Sequence, residues 1–480
     1  MRARRRAASA GALALAAAFG MTGGAGAATV SPAAADPHGW TVYHGNPGGT
    51  GVAPGVNSVD TRTRAWTSPA LDGDIYGEPL VFAGRVFVAT ENDTVYALSA
   101  ATGRRVWSRR LGRAVPSGSL PCGNIGPTVG ITGTPVIDRS RGEIFVVADE
   151  LVRERPAHIL AGLATASGRV EMTRDVDLAG TDPAAQLQRT GLTLDAGRVV
   201  FGMGGNFGDC GNYRGKVEAI PETAGGRPEA FTVDSARGER AGAVWMGGAA
   251  PVVDRRGHVW AEAGNGSVTS SSHAYDFSDS VLELSPAMRL VQFFAPRTWA
   301  SDNASDADMS TAAALLPDGQ VVAAGKSRIV YLLNGARLGG IGRQQAALRS
   351  GCGDDIDGGF AQSGMTVYVP CLTGVIAVRA TRSPASLRVL WRASAGNGPP
   401  IIAGGLVWSI SVANGTLLGL DPGHRPGAAA GGDRRGGQPL PDAERRRRSP
   451  PGRVREAGCR LQSVEFYALT MRNQAAWGVG

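Results

Sequence analysis

One pattern, recurring along the chain from Gly77 to Asp421, constrains the fold more than any other feature of the sequence. Each copy has a small residue with Pro or Thr, a short apolar run, a turn ending in Gly, a β-branched or aromatic run, a polar loop and a further apolar strand. The first copy is the clearest. It runs Gly77, Pro79, Leu80, Val81, Phe82, the turn Ala83-Gly84, the strand Val86 to Thr90, the loop Glu91 to Thr94 and the strand Val95 to Leu98; the turn Ala101-Thr102-Gly103-Arg104 then leads into a last strand through Val106 and Trp107. The Gly turn and the strand after it return at Gly142, Gly197, Gly257, Gly319, Gly364 and Gly404-Gly405, which makes seven visible copies.

A unit of about four short strands cannot bury both of its faces alone, so the copies must stack on one another. Their spacing of about 40 to 60 residues is that of propeller blades and too long for solenoid coils. The 70 glycines and 28 prolines supply the closely spaced turns such a chain needs. The expected fold class is therefore an all-β propeller of four-stranded blades. Two β-sandwiches with coincident turns are the alternative, and the constant register from copy to copy argues against them.

The two ends differ from the body. Arg2, Arg4, Arg5 and Arg6 precede an apolar stretch from about Ala10 to Phe19 and then small residues, the three parts of a secretory signal, with cleavage expected after Ala27 or Ala35. The apolar stretch is shorter than the roughly 20 residues of a spanning helix. The formal charge of +8 is concentrated in this leader, with four Arg and no acid, and in residues 422–480, with eleven Arg against five acids. The body is close to neutral, which removes the electrostatic footprint of a nucleic-acid-binding protein.

Copy seven ends at Leu418-Gly419-Leu420-Asp421-Pro422 and should continue into a turn like that of copy one, but Gly423-His424-Arg425-Pro426-Gly427 follows. The codons of those five residues, read one base later, permit Ala-Thr-Gly-Arg. From Gly437 to Leu461 the same shift permits A-N-H-F-P-T-P-S-V-G-D-G-V-L-L-A-A-S-A-K-Q-V-A-A-F, the opening strands of another blade. In the frame as given, the region is rich in Pro, Gly and Arg, including Arg445 to Arg448, without apolar periodicity. A basic, disordered tail that binds polyanions is the other reading. The shifted frame implies eight intended blades, with Thr61 to Leu71, and Trp66 within it, as the last strand of the eighth. The chain as written is then expected not to close. The domain reading is a signal peptide and leader at 1–35, an N-terminal extension at 36–60, the propeller at 61–421 and an out-of-frame or disordered basic tail at 422–480.

Five cysteines in an exported chain imply disulfides with one left over. Cys459 falls in the tail. Cys352 and Cys371 lie in one copy, and Cys122 and Cys210 lie in loops, which favours those two pairs; the other connectivities stay open.

The segment Ala97-Leu98-Ser99-Ala100-Ala101-Thr102-Gly103-Arg104-Arg105-Val106-Trp107 resembles the A-x-D-x-x-T-G-x-x-x-W repeat of pyrroloquinoline-quinone (PQQ) propellers. Copy two keeps the turn at Ala166-Ser167-Gly168-Arg169 with Met172 in place of Trp, and copy six keeps Trp391 without the Gly turn. The segment from Cys122 through Gly130, Ile131 and Thr132 to Pro135 is similar to one in a secreted, actinobacterial-type branch of PQQ-like proteins, and also resembles polyvinyl-alcohol dehydrogenases. The resemblance implies a propeller. In its alcohol-oxidising members it implies a quinone and a calcium ion in the central funnel, an aspartate base, and often a vicinal disulfide or a C-x-x-C-H haem site. This chain has neither adjacent cysteines nor C-x-x-C-H. Many members bind no quinone, and a bound quinone is not expected here.

Propeller sites gather in loops around the axis. Two acidic clusters stand out, Asp302, Asn303, Asp306 and Asp308, and Asp354, Asp355 and Asp357, with Asp276 and Asp279 as a smaller third. Such loops either hold Ca²⁺, which takes six to eight oxygens, or are solvated turns. Asn206, Asn212, Asn265 and His273 could contact a polar ligand such as a glycan. The six histidines have no zinc spacing, and there is no nucleophile elbow or phosphate loop. The sequence thus points to a secreted, non-enzymatic propeller binding an extracellular ligand or protein, expected to be a monomer without a membrane span. A PQQ-dependent alcohol dehydrogenase is the alternative.

Overall fold

The structure, a computed structural model, describes residues 39–423 apart from 62, 63, 237, 350, 413 and 414. The signal peptide, most of the basic tail and Cys459 lie outside the described residues. Seven small antiparallel sheets follow one another in chain order. Blade one is Leu80–Phe82, Arg85–Ala89, Thr94–Ser99 and Arg105–Arg110, each strand paired to the next. Blades two to six occupy 136–175, 193–232, 252–295, 314–348 and 361–393, and blade seven is Ile401–Ala403, Leu406–Ser411 and Thr416–Leu420. A single α-helix, Trp299–Ala304, is present among the described residues, and no helix there is long and apolar enough to cross a membrane.

The Gly turn that marks each copy is the first hairpin of each blade. Gly84, Gly142, Gly197, Gly257, Gly319, Gly364 and Gly405 all have φ between +56° and +85°, the left-handed region that tight hairpins require and that a Cβ disfavours. In blades one to six, second and third strands are buried over most of their length, because neighbouring sheets cover both faces, so they read as continuous apolar runs; Thr416–Leu420 of blade seven is only half-buried to exposed. Apolar clusters bridge successive sheets. Phe145 and Leu160 of blade two pack with Val199 and Phe201 of blade three, and Tyr368 and Trp391 of blade six pack with Val407 of blade seven. Outer strands carry the charge, as in the exposed Arg105, Arg109 and Arg110 of blade one.

Residues 40–53, expected only as an extension, cross the axis. Trp40 bridges Val81 of blade one, the Thr41 carbonyl accepts the Ile137 N–H of blade two at 2.8 Å, and the Pro47 carbonyl accepts Val253 of blade four at 2.8 Å. The Thr50 carbonyl takes Gln362 of blade six at 2.9 Å, and Gly51 and Ala53 bond both sides of Ile402 in blade seven. Innermost strands have a free edge toward the axis, and this segment satisfies donors along it. Blades one and seven share an apolar cluster with Trp40, Ala53 and Trp66. No described N-terminal strand joins the sheet of blade seven.

Candidate functional site

At the end of the axis opposite the Gly hairpins, the loops entering each innermost strand meet the loops between second and third strands. Two of the latter begin alike, with Ala263-Gly264-Asn265 in blade four and Ala324-Gly325-Lys326 in blade five. The glycines have a steric reason. A Cβ on Gly264 would lie 2.7 Å from Asp308 Oδ1, and one on Gly325 would lie 1.9 Å from the Asp308 carbonyl oxygen. Both are needed for Asp308, on the connection into blade five, to sit between the two loops.

Asp308 is buried, and both of its oxygens are engaged. Oδ1 accepts the Asn265 backbone N–H at 2.7 Å; Oδ2 accepts the Trp245 indole N–H at 3.2 Å and the Lys326 ammonium at 2.8 Å. The ammonium also lies 3.0 Å from Asp306 and 5.1 Å from the Trp245 ring centroid, a cation–π distance. Burial opposes its charge, but Asp308 and Asp306 together hold its proton well above the usual lysine range. Asp209 of blade three, which accepts the Tyr213 hydroxyl, is raised by burial and by the nearby Asp308. The Cys122–Cys210 disulfide ties this loop to the connection after blade one, with Cα atoms 6.0 Å apart.

Asp357, on the connection into blade six, is pushed up to about 7 by burial against the pull of Lys326, and its Oδ1 has no hydrogen-bond partner within the protein. It also lies within electrostatic reach of the buried Arg189, as do Tyr43, Tyr76 and Glu91. Glu91 accepts the Gly130 N–H at 2.6 Å through Oε2, its Oε1 has no donor, and burial raises it to about 8. Loops of blades one, three, four, five and six therefore place Glu91, Arg189, Trp245, Asp308, Lys326 and Asp357 around one axial region, with Tyr43 of the crossing segment against it.

The sequence-predicted residues divide between this region and the scaffold. Asp306, Asp308 and Asp357 belong to it. Asp302, inside the short helix, accepts the hydroxyl of Thr298 at its start at 2.7 Å, and Asn303 holds the neighbouring loop through Gly266, Val268 and Ser278. Asp354 accepts the next backbone N–H, and Asp355 lies 4.0 Å from Arg328. Asp276 accepts Ser278 and sits against Asp234, whose carboxyl is raised to about 9 by burial and by that neighbour. Asp279 is buried, accepts the Met309 N–H at 3.4 Å and is raised by burial and by the nearby Asp308 and Asp302, so it borders the axial region. Asn206 donates to the Ala184 carbonyl at 2.9 Å, while Asn212 and His273 are exposed. Both disulfide pairs are those favoured by the sequence, the second being Cys352–Cys371. Sequence reading missed Trp245, Lys326, Glu91 and Arg189; the recurring Ala-Gly-polar triplet was the available signal for Lys326.

Among the described residues, one group of three His, Cys, Asp or Glu side chains brings its ligand atoms within 4.8 Å, namely Asp254, His258 and Glu283, and none of the predicted aspartates belongs to it. Arg256 already bonds both carboxylates of that group. Calcium does not fit Asp308 as arranged either, since an ammonium and two N–H groups take its oxygens.

The family model described as outer membrane protein assembly factor BamB matches residues 53–276. Among solved structures, the chain is similar to quinohemoprotein alcohol dehydrogenase ADHIIG from Pseudomonas putida HK5, at 16% identity over 80% of this chain and 70% of that one, with a TM-score of 0.59. The quinohemoprotein alcohol dehydrogenase from Comamonas testosteroni aligns at 14% identity over 80% and 71%, TM-score 0.56, and a europium-containing methanol dehydrogenase at 15% over 81% and 84%, TM-score 0.58. The chain has the PQQ-like β-propeller fold. Comparison with curated protein sequences returns no match. At these identities the likeness of this PQQ-like propeller to the dehydrogenases is one of fold, and function must be argued from the axial residues themselves.

Proposed function

We propose that this PQQ-like propeller is an exported, non-catalytic binding protein that takes a small, donor-rich molecule, such as a polyol or an amine, on its axis. The observation that carries this reading is the pair of buried acceptors, Glu91 Oε1 and Asp357 Oδ1, without a donor in the protein, in a region that Arg189 and Lys326 keep from being purely acidic. A buried acceptor left unpaired is costly, and a ligand hydroxyl or ammonium would satisfy it. Two disulfides, one between loops and one buried at the end of a blade-six strand, support export.

A quinoprotein dehydrogenase is the second reading, favoured by Trp245 beside Lys326 and Asp308. An Asp308 that accepts three donors is poorly placed to take a substrate proton. Titrating the purified protein with a polyol and amine panel, following tryptophan fluorescence, should give saturable binding that Asp357→Asn weakens at least about tenfold. Saturable uptake of PQQ with Ca²⁺, together with alcohol-dependent dye reduction, would replace the first reading with the second.

A further inference from the structure

The long loop of blade four, between its strands Val259–Ala263 and Ser280–Leu284, meets the segment that leaves the outer strand of blade three, Glu229–Thr232. Two carboxylates come together there. The Asp234 backbone N–H donates to the Asp276 carbonyl at 3.1 Å, which fixes the two residues side by side, and their side chains lie within hydrogen-bonding distance of each other. Both residues are buried, as is Asp279 close by in the same loop.

These acids are short of donors. Asp276 accepts the Ser278 N–H at 3.1 Å and the Ser278 hydroxyl at 2.6 Å through Oδ1, but its Oδ2 accepts nothing. Asp234 accepts the Ser267 N–H through Oδ2 at a long 3.4 Å, and its Oδ1 accepts nothing. Asp279 likewise keeps Oδ2 without a donor. Among the described residues, no lysine or arginine forms an ion pair with any of the three, whereas Asp308 has Lys326. The charges that act most on Asp234 are those of Asp276 and Glu239, both acids. Like charges buried against each other without a counter-charge are costly.

The space between the two carboxylates is kept by a glycine. A Cβ on Gly266 would lie 2.8 Å from Asp234 Oδ2 and 2.8 Å from Asp276 Oδ2, so a side chain there would fill the place that faces both. Asn303 braces the rim, accepting the Gly266 N–H at 2.7 Å and donating to Ser278 Oγ at 2.8 Å. Ser235 and Ser267, the chain neighbours of Asp234 and Gly266, are exposed, which sets the pair just under the surface.

We propose that Asp234 and Asp276 hold a calcium ion that ties blade three to the long loop of blade four. The donors are oxygens alone, as a hard cation requires, and water supplies the positions that two carboxylates leave open. Magnesium demands a tighter octahedron and sheds its water reluctantly, so it suits this buried pair less. The affinity expected is that of extracellular calcium modules, a Kd on the order of 10⁻⁴ to 10⁻³ M. The site is separate from Glu91 and Asp357 and does not depend on a ligand at the axis.

The test uses the full 480-residue chain after treatment with a chelator. Terbium(III), a luminescent stand-in for calcium, should bind saturably and emit on tyrosine excitation, because Tyr275 donates to the Ser278 carbonyl at 2.6 Å beside the site. Calcium should displace it. About 10 mM calcium chloride should raise the melting temperature by about 2 °C more than the same magnesium chloride does. Asp234→Asn should weaken terbium binding at least about tenfold and abolish the calcium-dependent rise, yet melt no lower than the parent in chelator, since it removes a buried charge. Asp276→Asn should do the same to binding. Absence of saturable emission together with absence of a calcium-dependent shift would overturn the proposal, leaving a proton shared between the two acids. An unchanged titration in both Asn variants would overturn it as well, and so would a titration lost in Asp357→Asn, which would put the ion on the axis.

Discussion

Asp308 shows how much a single carboxylate depends on its surroundings. It is buried, and its charge is sustained by Lys326, whose own side chain is only 13% exposed. Removing one partner of a buried pair leaves the other charge uncompensated, which costs more than the pair is worth. Lys326→Met should therefore destabilise the protein by about 3 kcal/mol in a urea melt, and adding Asp308→Asn should restore most of the loss. If the single and double variants are equally unstable, the pair is not the unit described. Glu91 and Asp357 differ in kind, because each keeps one buried oxygen without a donor. Asp276 and Asp279 keep such an oxygen too; Glu91 and Asp357 carry the binding proposal because theirs lie in the axial region with Arg189 and Lys326.

At the scale of the element, the hairpin glycines and the glycines under the tryptophans have different reasons to be glycine. Gly84 and Gly168 have nearly the same φ, +71° and +70°, but a Cβ on Gly84 would meet nothing within 4 Å, whereas one on Gly168 would lie 2.6 Å from the Trp107 ring. Gly84→Ala should cost about 1 kcal/mol, the strain of the left-handed region alone. Gly168→Ala should cost about 2 kcal/mol or more, with the excess disappearing in a Trp107→Ala background, as read by a double-mutant cycle. The loops depend on covalent ties as well. Cys122–Cys210 closes a loop with a separation of 88 residues and Cys352–Cys371 one of 19. Loss of the first should cost roughly 3 to 4 kcal/mol and loss of the second less, measured with paired Cys→Ser variants.

Several acids buried in the whole molecule share one direction of shift. Burial raises Glu78, Glu91 and Glu218 to about 8 and Asp93 and Asp234 to about 9. Between the unfolded value near 4 and these folded values, the native state holds protons that the unfolded chain has released, so stability falls as pH rises. Each such group contributes up to about 1.4 kcal/mol per pH unit within its window. His44 acts oppositely. Burial lowers it to about 4, so its share of stability is lost as pH falls from about 6.5 toward 4. Because five such acids outweigh the one histidine, the melting temperature should peak near pH 4 and decline steadily to pH 9. A flat profile over that range would show that these buried acids are ionised at little cost.

Much of this architecture was legible in the sequence because a blade is a local object. Its hairpin glycines, apolar runs and A-T-G-R-type turn follow one another within a few tens of residues, and each obeys a steric rule that leaves a mark in composition. Repetition then dictates stacking, and the copies and loops that hold the cysteines favoured the two pairs that the structure shows. The crossing of residues 40–53 left no such mark, because it is held largely by backbone carbonyls that any sequence possesses. The axial site left little more, since blades far apart in sequence each give it one or two side chains and no period links Glu91, Trp245 and Asp357. The sequence by itself determined the blades and their order. Only the tertiary structure decided which residues meet on the axis, because that depends on distances between segments that close only when the sheets are packed.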